Sequence, residues 1–261
     1  MARHEGAVKR HRVKTAQKPV GVQRDTTAAA AAIVAKPARH YRAWLFQGYL
    51  IVAVIVFVIL AALAKTIAYF TFDITVTQAV QSFHPGWFDA LMRALTWIGF
   101  PPQAWIISAA VIVLLFVSGL KWETVVVTVS LIASSLLVEG TKLVVDRPRP
   151  TTGLVHVFAQ LSTYSFPSGH VVFFTTFVGF LFFLAYILLK HSWWRTLLLV
   201  ILGLMVALIG PSRIYVGEHW ASDVLAAYLL GTVLLSLSIL IYRWGKPRYF
   251  VNQPAATERP V

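Results

Sequence analysis

Apolar residues run along the chain in long blocks separated by short polar strings, and this alternation predicts helices that cross a bilayer. A spanning helix needs about 20 mostly apolar residues. The first block, Trp44 to Ala64, contains the charge-free run Leu50 to Leu63. Others follow at Gln103–Leu120, Thr124–Val145, Val171–Leu189, Thr196–Ile209 and Ala221–Tyr242, so the pattern predicts six spans. A core helix of a water-soluble protein shows a polar face every few residues, and these mostly do not. Residues 73–98 read differently. Phe83, Trp87, Leu91, Leu95 and Ile98 recur at helical spacing, Asp89 and Arg93 interrupt them, and His84-Pro85-Gly86 breaks the segment. That pattern predicts short amphipathic helices, lying at the interface or packed on the bundle, in preference to a seventh, irregular span. The predicted fold class is all-α: a polytopic membrane bundle of six transmembrane helices plus short interfacial amphipathic helices.

Composition agrees, and charge adds an orientation. The 261 residues are 58% hydrophobic and only 13% charged, about half the charged share of a soluble domain. The formal net charge is nevertheless +13. Residues 1–43 carry ten Lys/Arg against two acids, and residues 243–261 carry four against one. The body between them carries nine against seven. Three segments follow: a basic tail over 1–43, expected to be irregular; a membrane domain over 44–243; and a C-terminal tail over 244–261. The N-terminal tail lacks the aromatic interleaving or module of a nucleic-acid binder. It leads into a block long enough to span, with Lys65 beyond, unlike a cleavable signal. Attraction to anionic lipid heads is the simplest reading of it. Lys and Arg accumulate on the cytoplasmic side of spans. With six spans, both tails, Lys121 and the Lys190/Arg195 turn share that side, which predicts a multi-pass cell-membrane protein with cytoplasmic termini. The absence of Cys excludes disulfides, thiolate nucleophiles and cysteine zinc sites.

The opposite face, on this topology the periplasm or exterior, should be poor in cations. Yet Lys142, Arg147, Arg149 and Arg213 fall there, and an anion to bind is the simplest explanation. They belong to three polar strings: Lys142 through Asp146-Arg147-Pro148-Arg149-Pro150; Pro167-Ser168-Gly169-His170; and Ser212-Arg213 through Glu218-His219 to Ser222-Asp223. Taken singly each has an ordinary reading, as a snorkelling lysine, a helix cap or an interfacial hydrogen-bonded pair. Together they suit phosphoryl transfer, which needs cations on the phosphoryl oxygens, an in-line nucleophile and an acid for the leaving oxygen. Lys142, Arg149 and Arg213 supply charge, the arginines bidentately. Ser168 and Gly169 open a helix whose N–H groups suit the same anion. His219 and Asp223 are four apart, so on a helix the carboxylate holds one ring nitrogen and leaves the other to attack. His170 is left to protonate the leaving group. No carboxylate cluster suited to Mg²⁺ accompanies these strings, so catalysis without metal or other cofactor is expected.

These strings resemble the signature of the PAP2 lipid phosphatases, the type-2 phosphatidic acid phosphatases. That signature reads Lys-x6-Arg-Pro, Pro-Ser-Gly-His and Ser-Arg-x5-His-x3-Asp. Here Lys142…Arg149-Pro150, Pro167–His170 and Ser212-Arg213…His219…Asp223 fill every fixed position. The resemblance covers roughly residues 120–243 and does not include the basic tail. It implies His219 as nucleophile through a phosphohistidine, Asp223 as its orienting partner and His170 as general acid/base. It implies Lys142, Arg149, Ser168, Gly169 and Arg213 as the phosphate cradle. Asp146, Arg147, Tyr215 and Glu218 lie in variable gaps, Glu218 reading as a rim or helix-start residue and His156 as a solvated loop histidine. Vanadium haloperoxidases share similar motifs but are soluble, against six spans. The implied substrates are lipid phosphates: phosphatidic acid, phosphatidylglycerol phosphate or undecaprenyl pyrophosphate, the last two favoured by the bacterial inner-membrane character of the chain. A lipid phosphotransferase and a non-hydrolytic head-group binder or transporter are the alternatives. Partners are the lipid substrate and membrane lipids, not nucleic acid.

Overall fold

The computed structural model describes the backbone of residues 21–249 and the side chains of Tyr41 and residues 43–248. The chain divides into two units, Met1–Tyr49 and Leu50–Val261, and the second holds the whole of the site described below. Helix α1 runs Gly21–Thr66. Its helical backbone starts ahead of the first predicted span, through the run Ala28–Ala32, and alanine is the strongest intrinsic helix former. Residues 21–43, expected as irregular tail, are thus helical, while residues 1–20 and 250–261, the ends of both expected tails, lie outside the described residues.

Two short helices follow, α2 (Thr71–Gln81) and α3 (Gly86–Ile98), then α4 (Gln103–Val117) and α5 (Lys121–Val145). The next span is composite. A short α6 (Gly169–Phe173) passes through a π-helical turn (Phe174–Val178) into α7 (Gly179–Leu188). Helices α8 (Trp193–Tyr215) and α9 (Ala221–Tyr249) complete the described elements, all of which are helical. Five segments are long and apolar enough to cross a membrane alone. The predicted sixth, α4, has 15 residues and rises only about 22 Å. It qualifies only together with α3, from which it bends by 62°.

The amphipathic stretch packs on the bundle. Helix α3 buries Met92, Leu95 and Thr96 and leaves Trp87, Leu91 and Trp97 exposed. Met92 and Leu95 meet Tyr215 and Val216 at the end of α8. The main core is built by Val126 and Val138 of α5, Val171, Phe174 and Phe180 of the composite span, Ile209 of α8, and Val224 and Ala227 of α9. Between membrane helices there is little hydrophobic drive, so small residues and close packing do the work. A β-carbon at Gly231 would lie 2.7 Å from Thr175 in the π-turn, and one at Gly179 would lie 2.9 Å from Leu235.

Pro211 inside α8 brings no N–H, which leaves a carbonyl one turn back without its helical partner. The Tyr228 hydroxyl from α9 fills the gap: it lies 2.8 Å from the Val206 carbonyl and 3.1 Å from that of Ala207, and accepts from the Gly210 N–H at 3.0 Å. The last turn of α8, which carries Arg213, is fixed by this contact. At the far end of the bundle the buried Glu123 accepts from the Tyr242 hydroxyl at 3.0 Å and from Lys246 Nζ at 2.8 Å, tying the start of α5 to α9.

Candidate active site

All three polar strings arrive at one end of the bundle, each by a local device. Helix α5 stops at Asp146, whose left-handed φ of 49° reverses the chain in a conformation Asp tolerates better than most residues. Its N–H bonds the Lys142 carbonyl at 2.8 Å. Pro148 and Pro150 disfavour helix at Arg147 and Arg149, and residues 146–150 carry no helix. The second string opens α6 with Ser168 at the cap position. The third begins in the last turn of α8 and passes through Gly217, whose φ is +69°. A β-carbon there would also collide with the His156 carbonyl. That close approach lets the 151–164 loop bond back, Phe158 N–H to the Val216 carbonyl at 3.1 Å.

Lys142, Arg149, Gly169, His170, Arg213 and His219 line a single cavity of about 670 Å³. Away from these groups its walls are mostly apolar, lined by Ala104 and Trp105 of α4 and Leu131, Ile132 and Leu136 of α5, with serines such as Ser108 and Ser135 among them. The remaining two predicted residues stand behind the wall: Ser168 and Asp223 are fully buried. Asp223 underlies His219, with Oδ2 3.6 Å from Nδ1, close enough to act by charge but beyond hydrogen-bond range. The expected hydrogen bond is therefore not closed. On the other side of the ring, Nε2 lies 3.3 Å from Arg149 Nη1, and since the guanidinium only donates, Nε2 is assigned as acceptor. Burial first, then Arg149, Arg213 and Lys142, hold the His219 imidazole well below its usual pKa, with the Ser165 carbonyl opposing. This direction favours the neutral ring, and with Nε2 as acceptor the proton is assigned to Nδ1, on the Asp223 side.

The cations differ in how many donors they have spent. Arg149 is tied to the loop, with Nε on the Thr163 carbonyl (2.7 Å), Nη2 on the Thr163 hydroxyl (2.9 Å) and Nη1 on the Glu218 carbonyl (2.6 Å). Burial lowers its pKa, against the pull of Asp223 and Glu139, and it remains a cation. Lys142 pairs with Glu139 at 2.8 Å. Arg213 is fully buried and pairs through Nη2 with Glu218, while Nε and Nη1 have no partner. Its guanidinium lies 5.1 Å over the Phe100 ring, which also meets His170 edge-on at 4.6 Å. Eight buried side-chain polar atoms lack a partner among the described residues, and five belong to predicted site residues: Ser168 Oγ, His170 Nε2, Arg213 Nε and Nη1, and His219 Nδ1. Buried polar groups are normally paired, so this cluster of unspent groups marks where a polyanion fits. Among the described residues no three His, Cys, Asp or Glu side chains gather as a metal-ligand set.

Other residues take different places from those the sequence suggested. Glu218 is not a rim residue: it is 3% exposed and charge-balances Arg213. Arg147, read as a gap residue, is 1% exposed and bonded to Asp223. Asp146 caps α5, exposed and 3.9 Å from Lys65. Tyr215 meets Phe88 edge-on and stacks on Phe158. His156 is exposed, away from the cavity, with its N–H on Gln81 at 3.0 Å. Sequence reasoning missed Asp73, Phe100 and Ser165 as site neighbours. An acid in the first turn of α2 was the only signal for Asp73, and it doubles as a helix-start residue by accepting the Phe70 N–H at 3.0 Å.

The comparisons with known proteins converge with this geometry. Residues 123–247 match the model of the PAP2 superfamily. The chain is 30% identical over 190 residues to phosphatidylglycerophosphatase B of Bacillus subtilis, covering 69% of this chain and 88% of that one. It is 31% identical over 125 residues to the undecaprenyl-diphosphatase of Sulfolobus acidocaldarius, covering 46% of this chain and 56% of that one. Among solved structures it superposes on the transmembrane PAP2-type phosphatidylglycerolphosphate phosphatase from Bacillus subtilis. The TM-score is 0.66 at 25% identity, over 77% of this chain and 98% of the other. Aquifex aeolicus LpxE shares the fold, with a TM-score of 0.53 at 21% identity over 66% and 96% of the two chains. The motifs, the membrane fold and the relatives agree: the chain belongs to the PAP2 superfamily, the lipid phosphatase family its three strings resemble.

Proposed function

We propose that the chain hydrolyses a lipid phosphate through a phosphohistidine on His219. The observation that carries this is the cluster of buried polar groups without partners around His219, whose Nε2 meets Arg149 at the wall of the same cavity that Lys142, His170 and Arg213 line. In the first step Nε2 attacks phosphorus, the bond to the leaving oxygen breaks, and His170 gives that oxygen its proton. Asp223 offsets the positive charge that grows on the ring. In the second step His170 takes a proton from water, the water oxygen bonds to phosphorus and the P–N bond breaks, returning neutral His219. Lys142, Arg149 and Arg213, with the Ser168 and Gly169 cap, hold the phosphoryl oxygens throughout. The chemistry asks for no metal ion.

The apolar trench between α4 and α5 suits a hydrocarbon tail, with the phosphate at its polar end. Relatives named for phosphatidylglycerol phosphate and undecaprenyl diphosphate supply the first substrates to try. The site end is read as exterior or periplasmic, because the other end carries Lys121, Lys190, Arg195, Lys246 and Arg248. The test is phosphate release by detergent-purified protein from phosphatidylglycerol phosphate, undecaprenyl pyrophosphate and phosphatidic acid, with and without chelator. Wild type should release phosphate in both conditions and His219→Ala should not; equal release by the two would overturn the mechanism. Product lipid that gains phosphate without matching free phosphate would indicate transfer to lipid instead of water.

A further inference from the structure

Asp223 does not stand alone behind His219. Arg147 uses four N–H donors around it: Nε to the Ala68 carbonyl (3.0 Å), Nη1 to Ser222 Oγ (2.7 Å) and Asp223 Oδ1 (2.5 Å), and Nη2 to Asp73 Oδ2 (2.9 Å). Asp73 comes from α2, outside the residues that match the family model. It is 0% exposed and closes the ring, accepting the Ser222 N–H on Oδ1 at 2.8 Å and the Ser222 hydroxyl on Oδ2 at 2.9 Å. One guanidinium is thus clamped between two carboxylates and bound to the first turn of α9, from which Asp223 projects.

Two features give this arrangement a bearing on the reaction. The first is orientation. Arg147 occupies Oδ1 of Asp223, while Oδ2 receives the Ser165 hydroxyl and the Trp220 N–H (2.9 Å) and faces His219 Nδ1. Rotation of the carboxylate would break contacts on both oxygens. The second is charge. Arg147 with Asp223 alone would be neutral, and His219 would have no net negative partner. Asp73 restores one negative charge to the trio without touching His219, in a site where buried charges act strongly.

We propose that Arg147 and Asp73 are positioning residues that aim Asp223 at His219 and keep its charge available, so that α2 is part of the catalytic apparatus. The proposal rests on the phosphoryl-transfer reading of the site. Its test is a double-mutant cycle of Asp73→Asn and Arg147→Lys, each with Asp223→Asn, measuring kcat, KM, inhibition by inorganic phosphate and thermal unfolding in detergent. Misplacing a catalytic group by about 1 Å costs roughly 100-fold. Each single variant is therefore expected to lose about 100-fold in kcat, with KM and phosphate inhibition, which sense the cradle, within about 3-fold. In the Asp223→Asn background the same substitutions should cost less than about 3-fold, because coupled residues are not additive. Equal losses in both backgrounds, parallel loss of phosphate inhibition, kcat within about 3-fold of wild type, or failure of both variants to fold would each overturn the positioning role. Failure of the underlying reading is seen separately, as wild type that releases no phosphate or His219→Ala that releases it undiminished.

Discussion

Gly99, between α3 and α4, gives the sharpest steric test of His170. Its backbone is ordinary right-handed, with φ −84° and ψ −6°, so Gly99→Ala introduces no torsional strain. The new methyl would collide with His170 Cδ2 and lie 2.9 Å from Nε2 and 3.1 Å from Phe174 Cε2. Carbon atoms pack at about 3.5–4.0 Å, so something must move by about 1 Å. Phe174 is fully buried and Phe100 flanks the imidazole at 4.6 Å, which leaves the His170 ring to shift. A displacement of that size costs roughly 100-fold, or about 2.7 kcal/mol of barrier. The three atoms nearest that β-carbon belong to His170 and Phe174 and to none of Lys142, Arg149 and Arg213, so KM should hold. The assay compares single-turnover release of the leaving group from phosphatidylglycerol phosphate, whose alkoxide needs a proton, with that from p-nitrophenyl phosphate, whose leaving group does not. This isolates the first step from the later proton transfer from water, which His170 also serves. The expected result is a large loss on the lipid and a small one on the aryl ester. Gly140→Ala is the control: it sits on α5, one residue from Glu139, and a β-carbon there meets nothing within 4 Å. Equal losses on both substrates, or single-turnover release from the lipid within about 3-fold of wild type, would refute the acid role of His170.

Other expectations follow from single contacts. Burial and then the neighbouring Arg149, Arg213 and Lys142 push the His219 pKa below the ordinary 6.5. The acid limb of kcat/KM that it sets should therefore lie below pH 6.5, and a limb above pH 7 would contradict the assignment. The same depression means the unfolded chain binds the proton first, so stability should fall as pH drops below about 6.5, and His219→Gln should lessen that fall in thermal unfolding. Tyr228→Phe leaves the carbonyls before Pro211 unserved. It should cost about 1–2 kcal/mol, read as a lower Tm, and an unchanged Tm would remove Tyr228 as the support of that turn. Glu139→Gln releases Lys142; because the pair is largely exposed on the Glu139 side, KM should fall by only about 2- to 5-fold, and a rise in KM would make the carboxylate a substrate contact instead.

The spans and the three strings were legible because each is written locally. Long apolar blocks declare helices, and fixed spacings such as His219 to Asp223 declare a shared face. What supports the strings is not local. Arg147 and Asp73 are 74 residues apart, and each has an unremarkable local reading, as one arginine among several beside prolines and as an acid in a helix first turn. Glu218 reads as a rim residue until the fold brings Arg213 against it. Phe100 lies in a break between helices, where an aromatic carries no periodic signal. The length of α4 was overestimated because the apolar block was carried through Ser118-Gly119 to Leu120, whereas the helix ends at Val117 and Gly119 turns the chain with a φ of 76°.

That short helix has a mechanical consequence. A bilayer's hydrocarbon layer is about 30 Å thick, against roughly 22 Å for α4. The side chains that α4 exposes, among them Trp105, Ile106, Leu114 and Val117, cover less than the full layer because α3 bends away by 62°, which favours local thinning of the lipid beside it. Ala104, Trp105 and Ser108 of this helix line the same cavity as Lys142, so a lipid substrate that reached the site past α4 would start from a thinned surface with its head lowered toward Lys142. Membrane thickness becomes a variable of substrate entry: in vesicles of increasing acyl length kcat/KM should fall, while kcat at saturation should hold.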